Sequence, residues 1–357
     1  DSPGADSQKP CKAGFYSVAG QTECEPCQPG SFASSEASST CAPCVAGKIS
    51  SEAGQSSCSD CEPGSYAPIS GSTICTLATP GSFVSAQGSS AQTDCQAGRF
   101  SGSQSRECEK CAAGKFAPKK GSETCFVADP GSYVAKSGAD SHKLCKAGTY
   151  SAAGAISCLD CGQGTFAPDV GSSMCSPADP GSFVEGKAAT AQEPCEPGRF
   201  TSTSGSASCT LANAGSFVSD VGATESQICK AGTFSAADAS SCEECEPGKY
   251  AATDESTTCV LANGGSFVAQ AGASAQEPCG AGTISAAGAS SCLDCGPGTF
   301  AQEEGSTTCL VVNAGSFVAG KGATAQEPCE PGTFSSDAGL SRCEASPPGY
   351  YVPKSGQ

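Results

Sequence analysis

The sequence predicts a small disulfide-rich, all-β protein: an elongated, solenoid-like rod of about 21 stacked β-hairpin repeats of 16 or 17 residues, with almost no helix. Three observations lead there. Composition comes first: 357 residues hold 28 Cys, 45 Gly and 23 Pro, no Trp and only 6% aromatics. A conventional apolar core cannot be assembled from such a chain, whereas abundant, even-numbered cysteine suits small units stapled by disulfides in an oxidising compartment. The second is a register. "CQPGSF" from Cys27, "CEPGSY" from Cys61, "CAAGKF" from Cys111, "CEPGKY" from Cys245 and "CGPGTF" from Cys295 share Gly three and an aromatic five residues after the cysteine. Followed from Cys11, this register gives 21 repeats, with Phe or Tyr at the fifth position in 19 and Ile in two, Ile49 and Ile284. The aromatic is therefore expected to be each repeat's small core. Thirdly, no apolar periodicity of 3.6 residues survives the Gly and Pro, while short Phe/Tyr/Val strands bounded by turns such as "SGSTIC" and "EGSTTC" fit β-hairpins.

Cysteines go missing in pairs, and this sets the connectivity. The register expects cysteine at 178 and 192, but Ala178 and Gln192 stand there; the same double absence occurs at Ala78 and Gln92, Ala128 and His142, Ala212 and Ser226, Ala262 and Gln276, and Val312 and Gln326. Cysteines that vanish together are expected to bond together, which narrows what counting alone leaves open. The pairs are Cys11–Cys24, Cys27–Cys41, Cys44–Cys58, Cys61–Cys75, Cys95–Cys108, Cys111–Cys125 and Cys145–Cys158. The remainder are Cys161–Cys175, Cys195–Cys209, Cys229–Cys242, Cys245–Cys259, Cys279–Cys292, Cys295–Cys309 and Cys329–Cys343. The rival reading is zinc, because Cys24, Cys27, Cys41 and Cys44 have a ribbon-like C-x2-C-x13-C-x2-C spacing. Cys195 and Cys209 belong to no such quartet, and one pairing rule accounts for every cysteine. Glu243 and Glu244 hint at calcium, but no D-x-D-x-D-G loop occurs, so they read as solvated surface.

The register resembles the ephrin-receptor-like cysteine-rich repeats, themselves similar to the first part of tumour necrosis factor receptor modules. "CKAGTYSAAGAISCLDCGQGTF", from Cys145, carries the C-x-x-G-x-[FY]…C-x-x-C pattern, and the resemblance spans essentially the whole chain. It implies extended rods of small β-hairpins, as found in receptor ectodomains and large secreted or surface proteins. The chain departs from the pattern in its cysteine-free repeats.

From the N-terminus, residues 1–10 read as the closing half of a cysteine-free repeat and 11–77 as four disulfide-closed repeats. Over 78–194, cysteine-free repeats alternate with pairs of closed ones, giving a 50-residue period from Cys95 through Cys145 to Cys195. Residues 195–228 are a shortened period, 229–345 hold further 50-residue periods and the last closed repeat, and 346–357 open a cysteine-free repeat. Asp1 is followed by no apolar leader, so a signal peptide is expected to have been removed, or the chain to be part of a longer one.

Every cysteine-free repeat carries Val after its aromatic: Val84, Val134, Val184, Val218, Val268 and Val318. Closed repeats have Ser, Ala or Thr there. Forgoing a 15-residue cross-link forfeits about 3 kcal/mol. Local burial of these methyls is the first explanation; the second is a lateral assembly stripe recurring every third repeat. Tyr351 and Val352, in register within "SPPGYYVPKSGQ", are further candidate assembly contacts, because "GADSQKPC" at the other end matches the half they lack and suggests head-to-tail joining.

Function follows from what is uniform. His142 is the only histidine and occupies a vacated cysteine position, and no carboxylate pair stands out, so no catalytic residue, cofactor or metal is expected. A net charge of −17 disfavours nucleic acid and anionic lipid, and no apolar run is long enough to cross a membrane. No N-x-S/T sequon exists, though abundant Ser and Thr leave O-linked glycan open. The expectation is a secreted, extracellular or cell-surface structural protein that forms fibres or a coat with copies of itself. The alternative is a rod-like adhesion or receptor ectodomain spacing a binding site from a membrane.

Overall fold

A computed structural model describes residues 8–357. Among them lie 40 strands of two residues each, joined as twenty antiparallel two-stranded hairpins, with no helix. In the first hairpin β1 (Phe15–Tyr16) pairs with β2 (Glu25–Pro26), Phe15 facing Pro26 and Tyr16 facing Glu25. The same register recurs down to Thr333–Phe334 against Glu344–Ala345. Two residues per strand is all that each repeat permits. A tight Gly turn precedes the first strand and a second turn returns the chain before the closing position, so the ladder stops on both sides.

By its contacts the chain forms two compact units. One comprises Asp1–Gly162, Phe166–Ser176 and Lys187–Ala191, the other Gln163–Thr165, Pro177–Gly186 and Gln192–Gln357. Each is built by the same backbone joint. In the first, Gly114 donates its N–H to Val134 O (2.8 Å), Ala117 donates to Ala139 O (3.1 Å), and Gly138 donates to Cys111 O (2.7 Å). In the second, Gly248 donates to Val268 O (2.8 Å), Ala251 to Ala273 O (3.2 Å) and Gly272 to Cys245 O (2.8 Å). Main-chain groups that a two-residue ladder leaves unpaired are thus satisfied by the following repeat, as buried amides must be.

Glycine is needed at the turn for two reasons at once. Gly14 has φ +91°, and a Cβ there would collide with the carbonyl oxygen of Gly54, two repeats ahead. Backbone thus packs on backbone where any side chain would separate the repeats.

The core departs from the expectation for the aromatics. Residues such as Phe32, Tyr66, Phe183 and Phe267 are only half-buried, and Phe300 alone is buried outright. The fully enclosed side chains are the opening half-cystines, for example Cys27, Cys145 and Cys279 at 0% exposure, and the small residue six positions later, such as Ala67, Ala117 and Ser151. A hairpin of 16 or 17 residues is too thin to wrap an aromatic ring on all sides. It can wrap a sulfur and a methyl, so these form the core and the ring covers it from one side.

Candidate functional site

All 28 cysteines are bonded, in fourteen local pairs with sequence separations of 13 or 14 residues. Their Cα–Cα distances run from 5.6 to 5.8 Å, the ordinary range for an unforced bridge. The four cysteines with ribbon-like spacing enter three different bonds, Cys11–Cys24, Cys27–Cys41 and Cys44–Cys58, so none remains as a thiolate ligand. Glu243 and Glu244 form a strand whose side chains are exposed. Each bond is asymmetric: the opening sulfur is enclosed, whereas the closing cysteine is half-buried, or exposed at Cys24.

In the cysteine-free repeats the vacated opening position is filled by a small enclosed side chain, Ala78, Ala128, Ala178, Ala212, Ala262 or Val312, each at most 1% exposed. The closing position keeps a polar residue, and in four repeats this is a glutamine with a defined task. Gln92 Oε1 accepts the Thr79 N–H (2.9 Å) while its Nε2 donates to Thr79 Oγ1 (2.8 Å). Gln192 likewise accepts the Asp179 N–H (2.7 Å) and donates to Asp179 Oδ2 (2.7 Å). Gln276 and Gln326 accept the Asn263 and Asn313 N–H groups at 2.6 and 2.8 Å. A carboxamide therefore bridges the two ends of the loop across 13 positions, where a disulfide does so elsewhere. Sequence reasoning read these glutamines only as missing cysteines. The available signal was that four of six vacated closing positions share one residue type.

The other two repeats lack that clasp. His142 packs its ring edge-on against Phe116, centroids 5.0 Å apart, and its Nδ1 has no hydrogen-bond partner; Ser226 is too short to reach across.

Val84, Val134, Val184, Val218, Val268 and Val318 are 2 or 3% exposed. This corrects the lateral-stripe expectation: their methyls are inside the repeats and offer no surface to a neighbour. In the repeat from Val312, Val318 lies with Val312 and with Phe300 of the preceding repeat in one apolar cluster.

Tyr351 is 84% exposed, and Val352 is half-buried, its carbonyl accepting the Gly332 N–H at 2.9 Å. Together with Gly356 N–H on Cys329 O (2.9 Å), this docks 346–357 on the 329 repeat through the same joint used elsewhere, without a paired strand. Of the complementary stretch at the other end, residues 1–7 lie outside the described residues.

Ion pairs sit on the surface, some within one repeat, such as Lys48 with Asp60, and others between repeats. Arg199 meets Asp238 at 3.2 Å, and Lys230 meets Asp254 at 3.0 Å. Asp254 also accepts the Ala231 N–H (2.9 Å); that backbone bond first, and the Lys230 ammonium second, hold its carboxyl below the usual range. Tyr16 donates to Glu25 Oε2 (3.0 Å), and this bond, with the carboxylate's charge, raises its phenol above the ordinary value. Among the described residues no group of three or more His, Cys, Asp or Glu side chains is placed to hold a metal ion, and no helix is long and apolar enough to cross a membrane. Comparison with protein-family models and with curated proteins finds no match to this chain.

Proposed function

We propose that the chain is a secreted structural repeat protein, not an enzyme, that assembles with further copies of itself into an extracellular fibre or surface coat. The observation that carries this reading is the uniform backbone joint. Main-chain groups at fixed positions link each repeat to the next, with side-chain identity confined to filling space or closing loops. Recognition and catalysis concentrate distinctive residues in one place, whereas distributed, interchangeable repeats suit a scaffold. The fourteen disulfides support an oxidising environment for folding. Exposed hydroxyls such as Thr257 and Thr258 give O-linked glycan ready acceptors.

Negative-stain electron microscopy of material purified without reductant tests the reading. Fibres or sheets are the expected outcome. Dispersed single particles at every concentration would overturn self-assembly and favour the adhesion or receptor ectodomain.

A further inference from the structure

A disulfide removes the loop it closes from any path along which the chain is pulled. In fourteen repeats the backbone enters at the opening cysteine and tension passes through the sulfurs to the closing cysteine, Cα atoms 5.6–5.8 Å apart, leaving the chain between them, which spans a sequence separation of 13 or 14, unloaded. Six repeats have no such bypass: 78–92, 128–142, 178–192, 212–226, 262–276 and 312–326. Four of these are closed by a glutamine side chain; His142 and Ser226 supply no equivalent bond in the other two. They also recur singly between closed repeats, so two are never adjacent.

We infer that the six cysteine-free repeats are the extensible elements of the chain, yielding one at a time under tension while their neighbours stay locked. The inference is independent of self-assembly, since it concerns one chain held at its two ends. Opening one loop of 14 residues at about 3.6 Å per residue releases about 50 Å of chain. A closed repeat can release only the few residues between successive disulfides. The order of yielding also follows: loops lacking the carboxamide clasp, at 128–142 and 212–226, open before those closed by Gln92, Gln192, Gln276 and Gln326.

Single-molecule force extension of the full, oxidised chain tests this. Six events of about 50 Å are expected, two at lower force than the rest. Installing a fifteenth bridge in register, Ala178→Cys with Gln192→Cys, should leave five. Gln326→Ala should keep six and move one to lower force. As a control that needs no variant, adding reductant should raise the number towards twenty. Absence of events of this size from the oxidised chain, more than six of them, or a number unaffected by reductant would overturn the inference.

Discussion

At the scale of the residue, the division of labour is between groups that close a loop and groups that permit close approach. Gln192→Ala removes an exposed carboxamide bridge worth about 0.5–1 kcal/mol, so the Asp179 amide should exchange its hydrogen roughly two- to five-fold faster, read by NMR. Gly14→Ala combines an unfavourable φ, itself about 1–2 kcal/mol, with a collision on the Gly54 carbonyl; scrambled disulfides after refolding, seen by non-reducing peptide mapping, are the expected result. The opposite sign holds at Ala37, whose φ of +60° is one that glycine adopts freely, so Ala37→Gly should stabilise its repeat by up to about 1 kcal/mol, measured by local hydrogen exchange. Asp254 carries a pH dependence. Its depressed carboxyl contributes stability that is present above the ordinary aspartate range and is lost as pH falls through the folded value. NMR titration should find that Lys230→Ala raises that value only partly, because the Ala231 N–H is the larger cause. Much at this scale is legible in sequence. Half-cystines that disappear together name their partners, and Gly at a fixed offset names a turn. The glutamine clasp is not, because one polar side chain in a vacated position looks the same whether it faces solvent or reaches back across a loop to a particular amide.

At the scale of the element, a hairpin of four paired residues has no independent stability, and what holds it is the cross-link and the neighbour. The 195 repeat is the place to separate these, because cysteine-free repeats flank it on both sides. Replacing Cys195 and Cys209 together by Ala should cost about 3 kcal/mol by loop entropy and leave three successive repeats without a covalent closure. Limited proteolysis should then cut within 178–226, whereas the same change at Cys27 and Cys41, between closed repeats, should leave the chain resistant. Hairpin pairing and the absence of helix follow from period and composition, and could be read in advance. The composition of the core could not. Aromatics recurring in register look like core residues, yet an element this thin encloses only its smallest side chains, so Cys145 and Ser151 are inside while Tyr150 lies half outside. The same geometry turns the six valines inward, against one of the two directions that their spacing allowed.

At the scale of the whole molecule, charge opposes the proposed association. Copies carrying −17 repel one another, and raising ionic strength towards 0.1 M shortens that repulsion to about 10 Å, so self-assembly should increase with salt, followed by light scattering. Loss of assembly on adding salt would instead point to attraction between unlike charges. The local disulfides carry a different consequence for a chain that meets proteases. A peptide bond cut between two bonded cysteines leaves both pieces tied together, and the damage appears only after reduction. A cut in a cysteine-free repeat, or in the two residues separating successive disulfides such as Glu25 and Pro26, parts the molecule. Proteases can therefore nick most of the length without shortening it, and those capable of breaking it must find the six cysteine-free loops and the short connectors between bridges.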